Sequence, residues 1–168
     1  MSANGTGRIF TACFATSATT AAVDIVSLLS TAASKFAVRA LDIFAISTNV
    51  AGAEGVAIEL WRTTGSSAAN GAAITPRNVR GHSGAPAAVT GAAGPSGTQF
   101  STGGTNAAKL FQGTVAADGL RYRPDETERL EFTTAAPRFH VRAVAPVALT
   151  PGFVGVVTFE ELGRNPSS

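Results

Sequence analysis

The chain has little of what disulfide-bonded, metal-binding or catalytic folds need. Its 168 residues include one cysteine, two histidines, one tryptophan and one tyrosine. A single cysteine, Cys13, cannot form an internal disulfide, and its apolar neighbours Ala12 and Phe14 predict a buried thiol. Neither His82 nor His140 has a partner at metal-ligand spacing. We therefore expect no metal and no cofactor.

Charge and long apolar runs are also scarce. Only 14% of the residues are charged and the formal net charge is +2, with 11 Arg and 2 Lys scattered along the chain. Such a balance does not predict the basic surface that binds the phosphates of nucleic acid. No window approaches the ~20 apolar residues of a membrane span, and the opening MSANGTGRIF lacks a basic segment followed by an apolar stretch. We expect neither nucleic acid nor membrane as a partner, and synthesis in the cytoplasm.

Small residues are abundant instead. Ala, Gly, Thr and Ser occupy 83 of the 168 positions, and 45% of the residues are apolar. This composition excludes a long coiled coil, which needs heptads of Leu, Glu and Lys, and it excludes a disordered acidic tail. A chain of this length fits one domain that buries roughly 68 to 70% of its unfolded surface.

Short segments rich in β-branched and aromatic residues predict strands. In residues 35–47 the apolar phase slips between Val38 and Leu41, which predicts a β-bulge. Residues 55–62 alternate, with Val56, Ile58 and Leu60 on one face, as in a half-buried strand. Residues 19–30 fit either a helix or a strand, and we favour a strand because their neighbours are strand-like. Further strands are expected at 8–15, 107–115, 119–124, 129–134, 139–145 and 152–162.

Residues 65–108 differ from the rest, because they are rich in Gly, Ala, Ser, Thr and Pro and hold few large apolar side chains. Long stretches of this kind are binding loops or surface loops, and both interpretations stay open here. Short strands at 74–79 and 99–102 could interrupt the stretch. The expected layout is a flexible arm at 1–7, one β-sandwich domain at 8–162 with this Gly/Ala-rich excursion, and a C-terminal tail at 163–168.

Eight to ten short strands separated by Gly, Pro, Asp and Thr turns predict an all-β fold. The pattern is typical of an antiparallel β-sandwich of the jelly-roll type, and strand counting leaves an immunoglobulin-like sandwich as the alternative.

No residue set predicts catalysis. His140 lies between Phe139 and Val141 on the polar face of a predicted strand, which is typical of a surface or interface histidine. The sequence GHSG at 81–84 lacks the spacing of a nucleophile elbow, and GPSGT at 94–98 and TGGT at 102–105 lack the Lys of a phosphate-binding loop. We therefore expect no enzyme and assign no catalytic, cofactor-binding or metal-binding residue.

One acidic stretch could in principle hold paired carboxylates for glycoside hydrolysis. Basic residues alternate with its acids, however, and this is more typical of solvated ion pairs worth ~0 to 1 kcal/mol each. The residues concerned are Asp118, Asp125, Glu126 and Glu128 with Arg121, Arg123 and Arg129.

Over most of residues 8–162 the order of segments resembles the decoration, or cement, proteins on the heads of tailed bacteriophages. The residues that carry the resemblance are Arg8, Phe10 and Phe14, the AAVDIV segment around Asp24, ELWRTTGSS at 59–67, Thr75 and Pro76, Gly97 and Thr98, Tyr122 with Pro124, FHVRAVAP at 139–146, and the terminal TFEEL.

The resemblance implies a virion structural protein on the outer surface of the capsid. It would bind the lattice of the major capsid protein and stabilise the head, often as a homotrimer at a local threefold position, and it brings no catalytic residues. Residues 1–7 or 65–108 would be the contacting element, because both are too poor in large apolar groups to build a core. Two alternatives stay open, a carbohydrate-binding jelly-roll module and a tail or connector component of a virion.

Overall fold

The computed structural model describes residues 8–16, 23–30, 35–46, 55–64, 72–79, 89–93, 107–115, 118–133, 137–144 and 152–162. In these residues the backbone forms twelve strands and no helix. They are β1 (Arg8–Ala15), β2 (Val23–Ser30), β3 (Lys35–Ala45), β4 (Val56–Thr64), β5 (Ala72–Ile74), β6 (Arg77–Asn78), β7 (Val89–Ala93), β8 (Ala108–Val115), β9 (Leu120–Tyr122), β10 (Leu130–Phe132), β11 (Pro137–Ala143) and β12 (Phe153–Leu162).

The strands form two six-stranded antiparallel sheets that pack face to face. Sheet 1 has the order β10-β3-β12-β1-β6, and β9 pairs with β3 beside β10. Sheet 2 has the order β5-β7-β2-β11-β4-β8. The predicted antiparallel β-sandwich is confirmed.

The pairing of the long strands is nested. The first strand pairs with the last, β2 with β11, β3 with β9 and β10, and β4 with β8. The chain therefore resembles one long hairpin folded across two sheets, which is the jelly-roll arrangement. An immunoglobulin-like sandwich, whose sheets are formed by strands ABED and CFG, does not nest its strands in this way.

Phenylalanine rings form the centre of the core between the sheets. Phe36 stacks on Phe132 at a centroid distance of 4.7 Å, and Phe132 meets Phe139 edge to face at 5.5 Å. Because Phe132 belongs to sheet 1 and Phe139 to sheet 2, this contact joins the two layers. Each such buried side chain contributes about 1.5 to 3 kcal/mol. The fully buried rings are Phe10, Phe36, Phe132, Phe139, Phe153 and Phe159.

The predicted β-bulge in β3 is present. Ala40 pairs with Thr158 and Val38 pairs with Phe159, so Arg39 is the extra residue on β3. The alternation predicted for β4 is also confirmed, because Val56, Ile58 and Leu60 are buried. Residues 23–30 form a strand as favoured, while residues 19–22 lie outside the described part of the chain.

Part of the Gly/Ala-rich stretch belongs to the sandwich. β6 pairs with β1 in sheet 1, whereas β5 and β7 extend sheet 2 beside β2. The prediction of strand structure at 74–79 holds in β5 and β6, and residues 99–102 lie outside the described residues. β7 was not predicted, because its sequence VTGAA has only one large apolar residue, Val89, which is fully buried.

Candidate docking face

The outward side of sheet 1 is uncharged along the central parts of β1 and β12, and Asp42 on β3 is the acidic residue beside them. Alternate residues of β1, β3 and β12 point away from the core, and the strand register arranges them in rows. We call these residues the docking face: Ala15, Val154 and Phe44 in the first row, Cys13, Val156 and Asp42 in the second, and Thr11, Thr158 and Ala40 in the third.

Large apolar side chains are exposed at one end of the docking face. Phe44 is 36% exposed, and Ile46, just beyond β3, is 57% exposed. The Phe44 ring lies over Gly119, where an added Cβ would come within 2.6 Å of it and where φ is +78°. A glycine is therefore needed at this turn, both for the left-handed backbone and for the close approach of the ring.

Cys13 belongs to the docking face and is exposed, so the prediction of a buried thiol was wrong. Its neighbours Ala12 and Phe14 are indeed buried. Successive side chains of a strand point to opposite faces, however, so the residue between two inward-facing neighbours faces outward. The same alternation places Val156 opposite Cys13 on β12.

Arginines border the docking face at the end away from Phe44. Arg39 Nε donates to Glu160 Oε2 at 2.7 Å, and Arg129 Nη1 donates to the same oxygen at 3.0 Å. The bulge in β3 places Arg39 within reach of Glu160, which is only 7% exposed. Two guanidinium groups share the Glu160 carboxylate, and the exposed Glu131 lies in the same row beside Ala37, so this side of the rim carries charges of both signs.

A further ion pair, beside β9, involves Asp42 of the docking face itself. Arg123 Nη2 donates to Asp42 Oδ2 at 2.5 Å. Arg123 and Arg129 of the alternating stretch thus pair with acids of β3 and β12, whereas the sequence favoured ion pairs within the stretch. The acids Asp118, Asp125, Glu126 and Glu128 are exposed. Sequence spacing could not find these pairs because they join residues 81 and 31 positions apart.

The outward side of sheet 2 has a different chemistry, with His140 at its centre. The Ser27 hydroxyl lies 2.8 Å from His140 Nδ1, and the Thr63 hydroxyl lies 2.9 Å from Nε2. The prediction of a surface or interface histidine was wrong, because His140 is 0% exposed. Burial, and next the charge of Arg138, lower its pKa from 6.5 to about 4.

The contacts of His140 indicate a structural role. A neutral imidazole has one donor and one acceptor nitrogen, and a hydroxyl can satisfy either. Ser27 and His140 superficially resemble a nucleophile and its base, but a Thr hydroxyl occupies the position where a carboxylate would orient the ring. Ser27 is also 3% exposed. This pair therefore does not provide an accessible nucleophile.

Trp61, the aromatic residue on the outward side of β4, is held by polar neighbours. Its Nε1 donates to Glu59 Oε2 at 2.9 Å, and Lys109 Nζ lies 5.5 Å from its ring centroid. Lys109 also pairs with the other carboxylate oxygen of Glu59. Burial raises the pKa of Glu59, but the hydrogen bonds from Lys109 and Trp61 outweigh it and lower the pKa overall.

Several predictions concern segments that the structure does not describe. The sequences at 81–84, 94–98 and 102–105, the arm at 1–7 and the tail at 163–168 lie outside the described residues, as does His82. Within the described residues, no three His, Cys, Asp or Glu side chains form a group that could hold a metal ion. A helix long and apolar enough to cross a membrane is not found there either.

The docking face was not predicted from the sequence. A signal for it exists in β12, where Phe153, Val154, Val156 and Val157 are apolar on both faces of one strand. Strands covered on both sides have such continuous apolar runs. Comparison with models of protein families, with curated proteins and with solved structures found no match to this chain.

Proposed function

We propose that the protein is a virion structural protein, a capsid decoration or cement protein that binds the outer surface of the major capsid protein lattice and stabilises the head. The observation that carries the proposal is the docking face, an apolar patch bordered by arginines on one side of the sandwich. The proposal adopts the function implied by the resemblance to phage head proteins and assigns the contact to sheet 1.

The chemistry of the docking face fits a protein partner. The cores of protein interfaces are depleted of charge and enriched in aromatic residues, Met and Arg, with a polar rim. Val154, Val156 and Phe44 supply the apolar centre, while Arg39 and Arg129 supply donors at the rim. A complementary capsid surface would have an apolar centre and carboxylates facing these arginines.

The repetition of binding sites on a shell also suits such a protein. A capsid presents the same surface many times, so a protein that binds with modest affinity per contact gains from multivalency when its copies are linked. The homotrimer implied by the resemblance would present three docking faces to neighbouring capsid subunits. The contact through sheet 1 does not depend on this oligomeric state.

The carbohydrate-binding alternative is less well supported. A sugar platform needs an aromatic ring whose face is open for stacking, and Trp61 has Lys109 over its ring and Glu59 on its Nε1. A tail or connector component would use a similar docking face, and only the binding partner distinguishes it from a head protein.

The proposal is tested by placing a charge at the centre of the docking face. Val156→Asp is expected to weaken binding to emptied phage heads about 100-fold or more, because the new carboxylate would lose water without gaining a partner. Thr90→Asp, an exposed site on the outward side of sheet 2, is the matched control and should bind like the unmodified protein. Circular dichroism and thermal unfolding verify that both variants are folded.

Alkylation of Cys13 gives a second readout. Cys13 is the chain's only cysteine and is exposed, so maleimide labelling reports this face alone. Labelling should be fast for the free protein and strongly slowed on heads. Unchanged labelling on heads together with full binding of Val156→Asp would contradict the proposal. Binding to isolated tails or to polysaccharide, but not to heads, would favour one of the alternatives.

A further inference from the structure

The outer edge of sheet 2 is formed by β8, a strand of eight residues. Within the described residues β4 is the only strand that pairs with β8. An open strand edge presents unpaired backbone N–H and C=O groups, which can be completed by another strand.

The other described edges are shorter. β5 has three residues, β6 has two, and β9 and β10 have three each. Beyond its pairing with β6, β1 leaves four residues of edge, 12–15. Very short edge strands are a common protection against unwanted pairing. Among the described edges of a second copy, only β8 is therefore as long as β8.

Only the first half of β8 is protected. Lys109 places a charge there, and the register shift between Leu60 and Trp61 leaves Leu110 as an extra residue on β8. Lysine and bulges are both devices that discourage edge pairing. From Phe111 to Val115 the strand pairs regularly with β4 and has no charge and no proline. Among the described residues, these five thus have β4 as their only strand partner and leave their other edge open.

These five residues are self-complementary in one register. If Gly113 lies on a twofold axis, Phe111 faces Val115 of the second copy, and Gln112 faces Thr114. Residues directly opposite in an antiparallel pair share a face, so apolar meets apolar and polar meets polar. The two Lys109 side chains fall at opposite ends of the paired segment, where they do not repel each other.

Gly113, the residue placed on the axis, is closely packed within its own chain. An added Cβ on Gly113 would come within 2.8 Å of the Phe111 ring and within 3.1 Å of Leu120. Phe111 also contacts Tyr122, with ring centroids 5.3 Å apart. Val115 is fully buried in its own copy, so the partly buried Phe111 is the apolar side chain of this segment that can contact the second copy.

We propose that two copies of the protein associate through antiparallel pairing of their β8 strands across a twofold axis at Gly113, which joins their second sheets into one. The docking faces lie on sheet 1 and stay free in such a pair. This twofold contact differs from the threefold arrangement implied by the resemblance, and it stands independently of the proposed function.

Sedimentation equilibrium tests the association. The unmodified protein should show a reversible dimer, and Gln112→Lys should weaken it by about tenfold or more, because it places two ammonium groups diagonally across the axis. Gln112 is exposed and lies beside Glu59 on β4, so a lysine there is compatible with the folded sheet. Thr90→Lys adds the same charge at an exposed position of β7 and should leave the dimer unchanged.

Disulfide trapping tests the register. In a Cys13→Ser background, Gln112→Cys and Thr114→Cys are made as separate proteins and mixed under mild oxidation. The proposed register places these two positions directly opposite, so the mixed disulfide should dominate over either homodimer. A monomer at all concentrations, a trimer, a dimer insensitive to Gln112→Lys, or disulfides without preference for the mixed pair would each overturn the proposal.

Discussion

At the scale of single residues, His140 is a titratable side chain that is buried and contributes to packing. Its ring lies on the outward side of sheet 2, yet it is fully buried between the hydroxyls of Ser27 and Thr63. Arg138, two residues away on β11, has a buried Nη1 atom without a hydrogen-bond partner, and burial lowers its pKa. A second positive charge at His140 would therefore be unfavourable, which explains why the neutral imidazole is preferred.

This preference predicts a loss of stability in acid. The pKa of His140 is about 4 in the folded protein and 6.5 in the reference state. The unfolded chain binds the proton first, so the contribution is complete above about pH 6.5 and is lost as the pH falls through 6.5 towards 4. Between about pH 7.5 and 4.5 this loss should be about 2 to 3 kcal/mol in urea unfolding.

His140→Gln is the control for this pH effect. Glutamine has a donor and an acceptor for the two hydroxyls but does not titrate, so the variant should lose less stability over the same pH interval. Carboxylates that titrate nearby affect both proteins and cancel in the difference. Equal pH dependence of the two proteins would show that His140 does not carry the effect.

At the scale of strands, one carboxylate joins the two sheets near the end of β12. Glu161 Oε2 accepts from Arg8 Nη2 at 2.7 Å in sheet 1, and Oε1 accepts from the Val89 backbone N–H at 3.2 Å in sheet 2. Glu161 is 4% exposed. The hydrogen bond to Val89 holds β7 against sheet 1, because the small side chains of β7 make few other side-chain contacts.

Removing the link should be costly. Glu161→Ala deprives a buried backbone N–H and a half-buried guanidinium of their acceptor, and we expect a loss of about 3 kcal/mol in the free energy of unfolding. Arg123→Ala breaks the exposed pair with Asp42 and should cost less than about 1 kcal/mol. Urea unfolding of both variants measures the difference. Comparable losses would mean that the buried link contributes no more than a surface pair.

The strands also show how far local pattern reaches. The alternation in β4 and the bulge in β3 were predicted, because a period of two and its interruption are visible in adjacent residues. β7 was not predicted, because a strand of small residues shows no alternation of apolar and polar side chains. It forms because its backbone pairs with β2. The apolar residues on both faces of β12 are a signal of the docking face, but the face itself consists of three strands side by side, which β12 alone does not define.

At the scale of the whole molecule, the strand pairing limits which segments can be altered to test the contact with the shell. The sequence predicted residues 1–7 or 65–108 as the contacting element, but strands within 65–108 belong to the sandwich: β6 pairs with β1, β7 with β2 and β5 with β7. A shortening of that stretch must therefore spare residues 72–79 and 89–93. The structure does not describe residues 1–7 and 80–88. Residues 1–7 can be removed without deleting a described strand, whereas 80–88 join β6 of sheet 1 to β7 of sheet 2 and should be replaced by a Gly/Ser linker of equal length.

We expect the deletion of 1–7, and the replacement of 80–88 by a Gly/Ser linker of equal length, to keep the β-sandwich spectrum and the thermal midpoint close to those of the full chain. If these segments add to the docking face, each change should weaken binding to emptied heads less than Val156→Asp does, because the apolar side chains of sheet 1 remain. Binding is measured by co-sedimentation with the heads. Loss of binding in either variant, with binding retained by Val156→Asp, would move the contact from sheet 1 to that segment.

The sequence by itself determined the all-β class, most strands, the inward residues of β4 and the bulge of β3, because each of these is set by neighbouring residues along the chain. Only the tertiary structure decided that β1 pairs with β12, that His140 is buried on an outward side, and that Glu160 gathers two arginines. These features join residues far apart in sequence. The alternation of side-chain direction along a strand predicts which side of the sheet a residue faces. What covers that side depends on the packing of other segments.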